Sequence, residues 1–585
     1  MNNWIHPALF YLVGALFLPL FKGVLKKVVI LLIPVAGIVS VAVSSYGNYG
    51  AYQFLGVEGL FGRVDKLSMV FAWVFVIMSF LGALYALHRK EDGHHIAGFY
   101  YVGGSLGAVF AGDYLTLFIF WEAMAFSSVF LIWYGKRPQS VDAGYRYLLF
   151  HVFGGLLLFA GMMFYYAKTG SFAFNAIAPD GASWPEYLIL AGFALNAAVI
   201  PLHAWLPDAY PEASVEGAVF LCAFTTKTAV YVLARGFSGF EILAIMGTAM
   251  TVFGVIYAII ENDIRRVLAY HIISQVGYMV AGVGIGTMMA VNGAAAHAFA
   301  HILYKALLFM GAGAVLYMTG TSKMTQLGGI YKYMPLTMIF YVIGAISISG
   351  FPLFSGFVSK SMIVAAAHHE GRIWLMLLLN LAGIGTFLSV GLKVTYFTFF
   401  GKESGDHRDV HEPPANMLWA MGLTSLLCFL IGTFPSVFYK LMPFPVEFNP
   451  YNASHLSEMM QILSFTGLVF YLMVKKLAPD AKLNLDIDYF YRKATVLFLK
   501  FDEKVIAPID AFWGELYRTL GLKSLFGTAT ISYAFDQKAI DGVVDGTAYS
   551  VMGIGSVVKK LQTGRVQTYI GLSLLLFFAV LWAVL

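Results

Sequence analysis

Eight titratable side chains stand in stretches that are otherwise almost purely apolar: Glu122, Glu216, Lys227, His297, His301, Lys305, Lys360 and Lys393. Glu122 lies within DYLTLFIFWEAMAFSSVFLIWYG and Lys227 within GAVFLCAFTTKTAVYVLA. A charge at the centre of a bilayer costs about 2.5–3.5 kcal/mol even on the milder insertion scale. Several together would forfeit more than roughly 10 kcal/mol, as much as the whole stability of a domain. Such groups must be paired, hydrated or neutralised, and the chemistry open to them is proton transfer. His297, His301 and Lys305 in HAFAHILYKALLF follow one another at intervals of four residues. That spacing sets them on one helical face with a rise of about 6 Å between neighbours. Histidine titrates near neutral pH, and an ammonium stripped of water gives up its proton more readily. The three can therefore pass a proton through intervening water.

Other positions have simpler readings. Lys393 either joins the path or snorkels from a helix end. Glu216 follows Ser214 at the start of a span, where a capping serine and an early carboxylate complement the helix dipole. It is kept only as a possible member of the path. His151 in YLLFHVFGG reads as a packed, hydrogen-bonded residue.

The elements that position these groups follow from composition. The chain of 585 residues is 59% hydrophobic and 12% charged, about half the charge of an ordinary soluble protein. A spanning helix needs about 20 mostly apolar residues, and Leu67 to Leu87 meets that length without a charge. Apolar runs predict spans near 7–21, 28–46, 67–88, 95–112, 113–134, 144–167, 186–209, 213–236, 240–261, 266–288 and 292–318. Further spans follow near 336–369, 376–401, 416–441, 456–477 and 568–585. The expected fold is all-α and integral to the membrane, with about sixteen transmembrane helices. The first apolar run ends in a basic loop and leads into another span, so no cleavable leader is expected.

Lys22, Lys26 and Lys27, then Arg89 and Lys90, Lys136 and Arg137, and finally Lys475 and Lys476 fall in alternate loops. The positive-inside rule then places the N-terminus outside. Two spans carry proline and polar residues at their centres, around Pro201, Pro207 and Pro211 and around Pro352. A plain kink explains either alone. A pair of broken helices in two halves of a chain points to a transport site, because non-helical backbone at membrane depth persists only beside protein or a water-filled cavity. From 478 to 567 charges and aromatics mix. This stretch reads as an amphipathic lateral helix along the membrane or against partner subunits, with a small soluble appendage as the alternative.

Cys222 and Cys428 lie in separate apolar runs and supply no disulfide framework and no Cys/His ligand set. No metal or other cofactor is expected, and no nucleophile constellation suggests an autonomous enzyme. The net charge of +5 is spread over loops, which leaves no footprint for nucleic acid.

The segments FWEAMAFSS, PLHAWLPDAY, TTKTAVYVLAR, ENDIRRVLAYHIISQVGYM, HAFAHILYKALLFMGAG and GFPLFSGFVSK resemble the proton-conducting antiporter-like family. That family comprises the large subunits of Mrp-type sodium/proton antiporters and the homologous subunits of respiratory complex I and membrane-bound hydrogenases. The resemblance implies fourteen core helices, two inverted five-helix repeats with two broken helices, and a hydrated charged axis. The likeness runs from about 112 to 401, so the chain is expected to divide into N-terminal helices over 1–111, an antiporter-like core over 112–401, flanking helices over 402–477, a lateral segment over 478–567 and an anchor over 568–585. By motif, Glu122 matches the glutamate of the fifth helix, Lys227 the lysine of the eighth and Lys360 the charged group of the broken twelfth. His297, His301 and Lys305 match the ladder linking the halves. One position departs: where the family carries a lysine five residues before the proline of PLHAWLPDAY, this chain has Asn196. Glu122 is then expected to find its countercharge in Lys227, directly or through water, the alternative being an altered or closed first half-channel. The tail FDQKAIDGVVDG and LQTGRVQTY resembles the complex I subunit with the lateral helix, while LDIDYFYRK resembles antiporter subunits of the D type.

The leading expectation is a D-type subunit of a multi-subunit cation/proton antiporter in a bacterial plasma membrane. It would handle protons and Na+ beside other membrane subunits. A pump module of complex I or a hydrogenase is the first alternative, and a non-transporting scaffold the second. Because Lys475 and Lys476 close a span on the cytoplasmic side, the stretch from about 482 to 560 should be cytoplasmic. A cysteine placed at Ser524 should resist impermeant maleimide applied to intact cells and react after permeabilisation; labelling from outside would refute this topology.

Overall fold

The computed structural model describes residues 4–54, 56–404, 409–482 and 485–585. The chain forms two compact units, Met1–Ile487 and Asp488–Leu585, and helix dominates both. Twelve described helices are long and apolar enough to cross a membrane. The other segments expected to span are short, as in Ala8–Phe17, or begin with polar residues, as in Asp92–Phe110, or are interrupted. The all-α expectation has one exception among the described residues. Gly47–Phe54 and Val57–Val64 pair as an antiparallel hairpin, whose alternating small, polar and aromatic residues make no apolar run.

Both proline-marked breaks are present. Helix Trp184–Asn196 stops, the chain passes through Pro201, and Trp205–Ala209 follows. Helix Pro335–Ser349 ends on Gly350 at φ +77°, and Ser355–His369 resumes beyond Pro352. Proline cannot donate to the helical ladder and its ring crowds the preceding turn. Two further irregularities lack a proline signal. Residues 222–224 separate Val215–Leu221 from Thr225–Gly236, and Phe387–Val394 and Tyr396–Phe400 are wide π-helical turns. Such turns leave local carbonyls off the regular ladder.

Ile264–Ile285 and Met288–Thr319 are enclosed over nearly their whole length, while Pro138–Thr169 turns Phe153 and Leu156 outward. That gradient from enclosed to outward-facing helices suits a bundle bathed in lipid. Helices Glu241–Ile260 and Ile264–Ile285 form a hairpin of very close approach. A Cβ at Gly247 would collide with Ala281 N, and one at Gly277 would stand 2.6 Å from Gly247 O. Small residues permit this backbone contact, which replaces the missing hydrophobic drive between helices in lipid.

One local device occurs twice. Asp113 caps Tyr114–Trp133 by accepting from Thr116 N, and it bridges to Ala173 beyond the long helix Pro138–Thr169. Asp263 caps Ile264–Ile285 by accepting from Arg265 N and Arg266 N, and it bridges at the same sequence interval to Lys323 beyond Met288–Thr319. Thr169 and Thr319 close the two long helices alike, bonding back to Tyr165 O and Val315 O.

In the second unit, residues 488–561 are helical throughout, with π-helical turns at Asp502–Ile506, Tyr517–Lys523 and Asp536–Asp541. Helix Val566–Val584 follows. Apolar side chains such as Phe512, Trp513 and Leu525 are exposed along 488–561.

Substituting Gly277→Leu should cost about 3 kcal/mol, since overpacking against backbone cannot be relieved by a rotamer change. Gly571→Leu, at a site with nothing within 4 Å, should cost nothing. Thermal unfolding in detergent measures both, and equal midpoints would mean that the hairpin is not held by close backbone approach.

Candidate functional site

Glu122 is carried on Tyr114–Trp133 and leans on Gly155 of Pro138–Thr169, where any Cβ would collide with Glu122 Oε1. Asn196, the last residue of Trp184–Asn196, is fully buried and lies against the adjacent Gly154. Two consecutive glycines thus seat the carboxylate and the amide. Glu122 Oε1 and both amide atoms of Asn196 are buried and find no hydrogen-bond partner among the described residues. Burial without a partner costs about 1–3 kcal/mol per polar group, so this is a place that water or a cation would stabilise.

Lys227 is fully buried, and its Nζ donates to Cys222 O at 2.5 Å and to Thr226 Oγ1 at 3.1 Å. The interruption at 222–224 exposes that carbonyl. Glu122 and Lys227 form no direct ion pair; the broken helix supplies the ammonium with acceptors of its own.

Glu216 behaves as the capping argument requires. Ser214 accepts from Gly217 N at the start of Val215–Leu221. The carboxylate also lies 3.1 Å from His88 Nε2 and 3.4 Å from Arg89 Nη1. Neither partner was singled out from sequence, where HRK reads only as a basic loop. His151 bonds Tyr147 O through Nδ1 and stacks on the Tyr147 ring at 3.9 Å, the packed role expected of it.

In the second half the ladder on Met288–Thr319 is enclosed. His297 Nδ1 lies 3.1 Å from Ser359 Oγ, and its Nε2 lies 3.2 Å from Gln275 Oε1. The His301 ring stands 6.2 Å from that of His297, and neither of its nitrogens has a partner among the described residues. Lys305 Nζ points at Leu268 O, 3.4 Å away. Lys360 Nζ donates to Ile348 O at 3.1 Å beside the second break and lies 5.0 Å from the centre of the Tyr278 ring. Lys393, in the π-helical turns, donates to Ile259 O at 2.6 Å and reaches Glu261 O at 3.3 Å. It is 4% exposed. It therefore caps the end of Glu241–Ile260 and does not snorkel.

Sequence reasoning missed His271, whose Nε2 lies 2.7 Å from Ser389 Oγ, and Gln275, which joins His297 to Thr386. Both are in ENDIRRVLAYHIISQVGYM, and the fourfold spacing from His271 to Gln275 was the available signal. A cavity of about 1050 Å³ is lined by Lys360, Tyr278, Asn292 and Ser361, and by the exposed Glu447 and Glu458 farther out. It gives water a route toward Lys360. The arrangement as a whole is a buried row of bases and ammonium groups held by carbonyls and hydroxyls, which can store and hand on protons.

Residues 111–386 match the family of NADH:quinone oxidoreductase/Mrp antiporter transmembrane proteins. The D subunit of the Na(+)/H(+) antiporter of Alkalihalophilus pseudofirmus is 30% identical over 386 residues, covering 62% of this chain and 77% of that one. NAD(P)H-quinone oxidoreductase chain 5 of Picosynechococcus sp. is 27% identical over 582 residues, covering 88% and 85%. A chain in the structure of the Mrp complex from Dietzia sp. superposes with a TM-score of 0.67 at 22% identity, covering 79% of this chain and all of that one. With the broken helices and the buried row these matches lead to one assignment: the chain belongs to the NADH:quinone oxidoreductase/Mrp antiporter transmembrane family.

Proposed function

We propose that this chain is the proton-translocating subunit of a multi-subunit monovalent cation/proton antiporter, with Na+ as the exchanged cation, in a bacterial plasma membrane. One observation carries the reading. The buried lysines Lys227, Lys305 and Lys360 face carbonyls and no carboxylate within ion-pair distance among the described residues. An ammonium beside a carboxylate is locked in its charged form, whereas one held by neutral carbonyls stays able to lose its proton. The path is made of Glu122, Lys227, the ladder of Lys305, His301 and His297, and Lys360, and the cavity at Lys360 serves as one mouth. Lys393 and Glu216 border it, the one as a helix cap and the other in an ion pair. The core is 112–401, between the helices of 1–111 and 402–477. The lateral segment 478–567 and its anchor 568–585 engage neighbouring subunits.

A second reading, a subunit of a redox-driven complex, is favoured by one fact. The alignment with chain 5 of the cyanobacterial NAD(P)H-quinone oxidoreductase spans 582 residues, whereas that with the antiporter D subunit spans 386. Purifying the native complex decides between them: small antiporter subunits support the first reading, quinone-reducing or hydrogenase subunits the second.

Lys305→Ala should lower cation-driven proton transport in everted vesicles at least tenfold while the complex still assembles. Lys305→Arg should fail as well, because arginine keeps its proton at any accessible pH. Wild-type rates in both would support a scaffold that carries no protons. Asn196→Lys probes the first half separately. Faster transport would mark the native asparagine as a restriction, and lost transport would show that the site depends on the amide.

A further inference from the structure

The segment that leaves the core toward Asp488 first turns back into it. Asp486 is 6% exposed. Its Oδ1 lies 3.2 Å from His203 Nε2 and accepts from Ile487 N at 2.6 Å, and its Oδ2 accepts from Tyr270 OH at 2.7 Å. One residue earlier, Leu485 O accepts from Tyr257 OH at 3.1 Å. His203 belongs to neither flanking helix. It sits fully buried in the interruption between Trp184–Asn196 and Trp205–Ala209, edge-on to Phe253 at 4.6 Å.

The bond pattern fixes the ring. With Nε2–H donated to the carboxylate, Nδ1 is left as the acceptor nitrogen. It is buried and has no partner among the described residues. Burial opposes ionisation of Asp486, and the bonds from His203, Tyr270 and Ile487 N outweigh it, holding the carboxyl below its ordinary range. The other charged groups on elements packed here have partners of their own: Asp208 pairs with Arg146 at 2.5 Å, Glu261 lies 3.5 Å from Arg266, and Lys393 is directed at Ile259 O. A departing chain could be anchored by apolar packing alone, without desolvating a carboxylate at a cost of several kcal/mol. What apolar packing cannot do is select one tautomer and one orientation of an imidazole in a helix break.

We propose that Asp486 is a positioning residue of the transport core: with Tyr270 it fixes the His203 ring in the first broken helix and ties that break to the segment from which the helix at Asp488 departs. The inference rests on the transport function proposed above. A displacement of 485–487 then reorients a buried base without touching the His297 ladder.

The test uses the intact complex, carrying Asp486→Asn, Asp486→Glu, Tyr270→Phe, His203→Gln or the Asp486→Asn/His203→Gln pair. Vesicle transport is measured at one fixed pH, and hydrogen exchange of 197–204 is measured on the same preparations. Asp486→Asn should slow transport about tenfold, because the His203 ring loses the acceptor that fixes its tautomer and orientation. Asp486→Glu should restore most of the rate, and the double variant should be no slower than the slower single one. Exchange at 197–204 should rise in Asp486→Asn and, to a lesser degree, in Tyr270→Phe. Unchanged exchange, no rescue by Asp486→Glu, or losses that multiply in the double variant would overturn the proposal. Should the wild-type complex carry no protons while exchange at 197–204 still rises in Asp486→Asn, the positioning role stands as a structural one and the transport function falls.

Discussion

A lysine ammonium taken out of water needs hydrogen-bond acceptors, and here the main chain supplies them. Helical carbonyls are already engaged, so acceptors are available chiefly where a helix stops or loosens. Cys222 O borders the gap at 222–224, Ile348 O stands just before the break at Gly350, and Ile259 O lies at the end of Glu241–Ile260. Lys227, Lys360 and Lys393 each take one of these. The placement of cations and the placement of helix interruptions are therefore one problem. A continuous helix through either break would strand an ammonium in a medium that cannot solvate it.

Interruptions weaken a bundle, and close backbone packing compensates. The hairpin of Glu241–Ile260 and Ile264–Ile285 leaves no room for a Cβ at Gly247, Gly254, Gly277 or Gly284. It forms a rigid wall from which His271 and Gln275 reach toward Ser389, Thr386 and His297. Rigid helices carry the polar row and Lys305, whereas Lys227, Lys360 and Lys393 sit beside interruptions or on loosened turns. Motion confined to the loosened segments can alter which carbonyl a lysine meets without disturbing the row.

The sequence made the gross architecture legible because bilayer thickness imposes a length on every apolar run. Pro201 and Pro352 announced their breaks, since proline acts through a covalent ring that no neighbour can override. The break at 222–224 and the π-helical turns at Lys393 contain no proline and left no local mark. The buried ladder was legible from its spacing of four. The partners of Glu216 were not, because His88 and Arg89 belong to a different helix end and their role depends on folding. The acceptors of Lys227 were not legible, because matching opposite charges overlooks main-chain carbonyls. The hairpin 47–64 escaped because neither apolar length nor helical spacing describes it.

The capping device that joins Asp113 to Ala173 recurs at Asp263 and Lys323, yet the two frames are filled differently. Beyond the first capping aspartate by nearly the same interval stands Glu122; beyond the second stands His271. The same backbone frame therefore holds a carboxylate in one half and an imidazole in the other, so the two halves are alike in scaffold and unlike in chemistry.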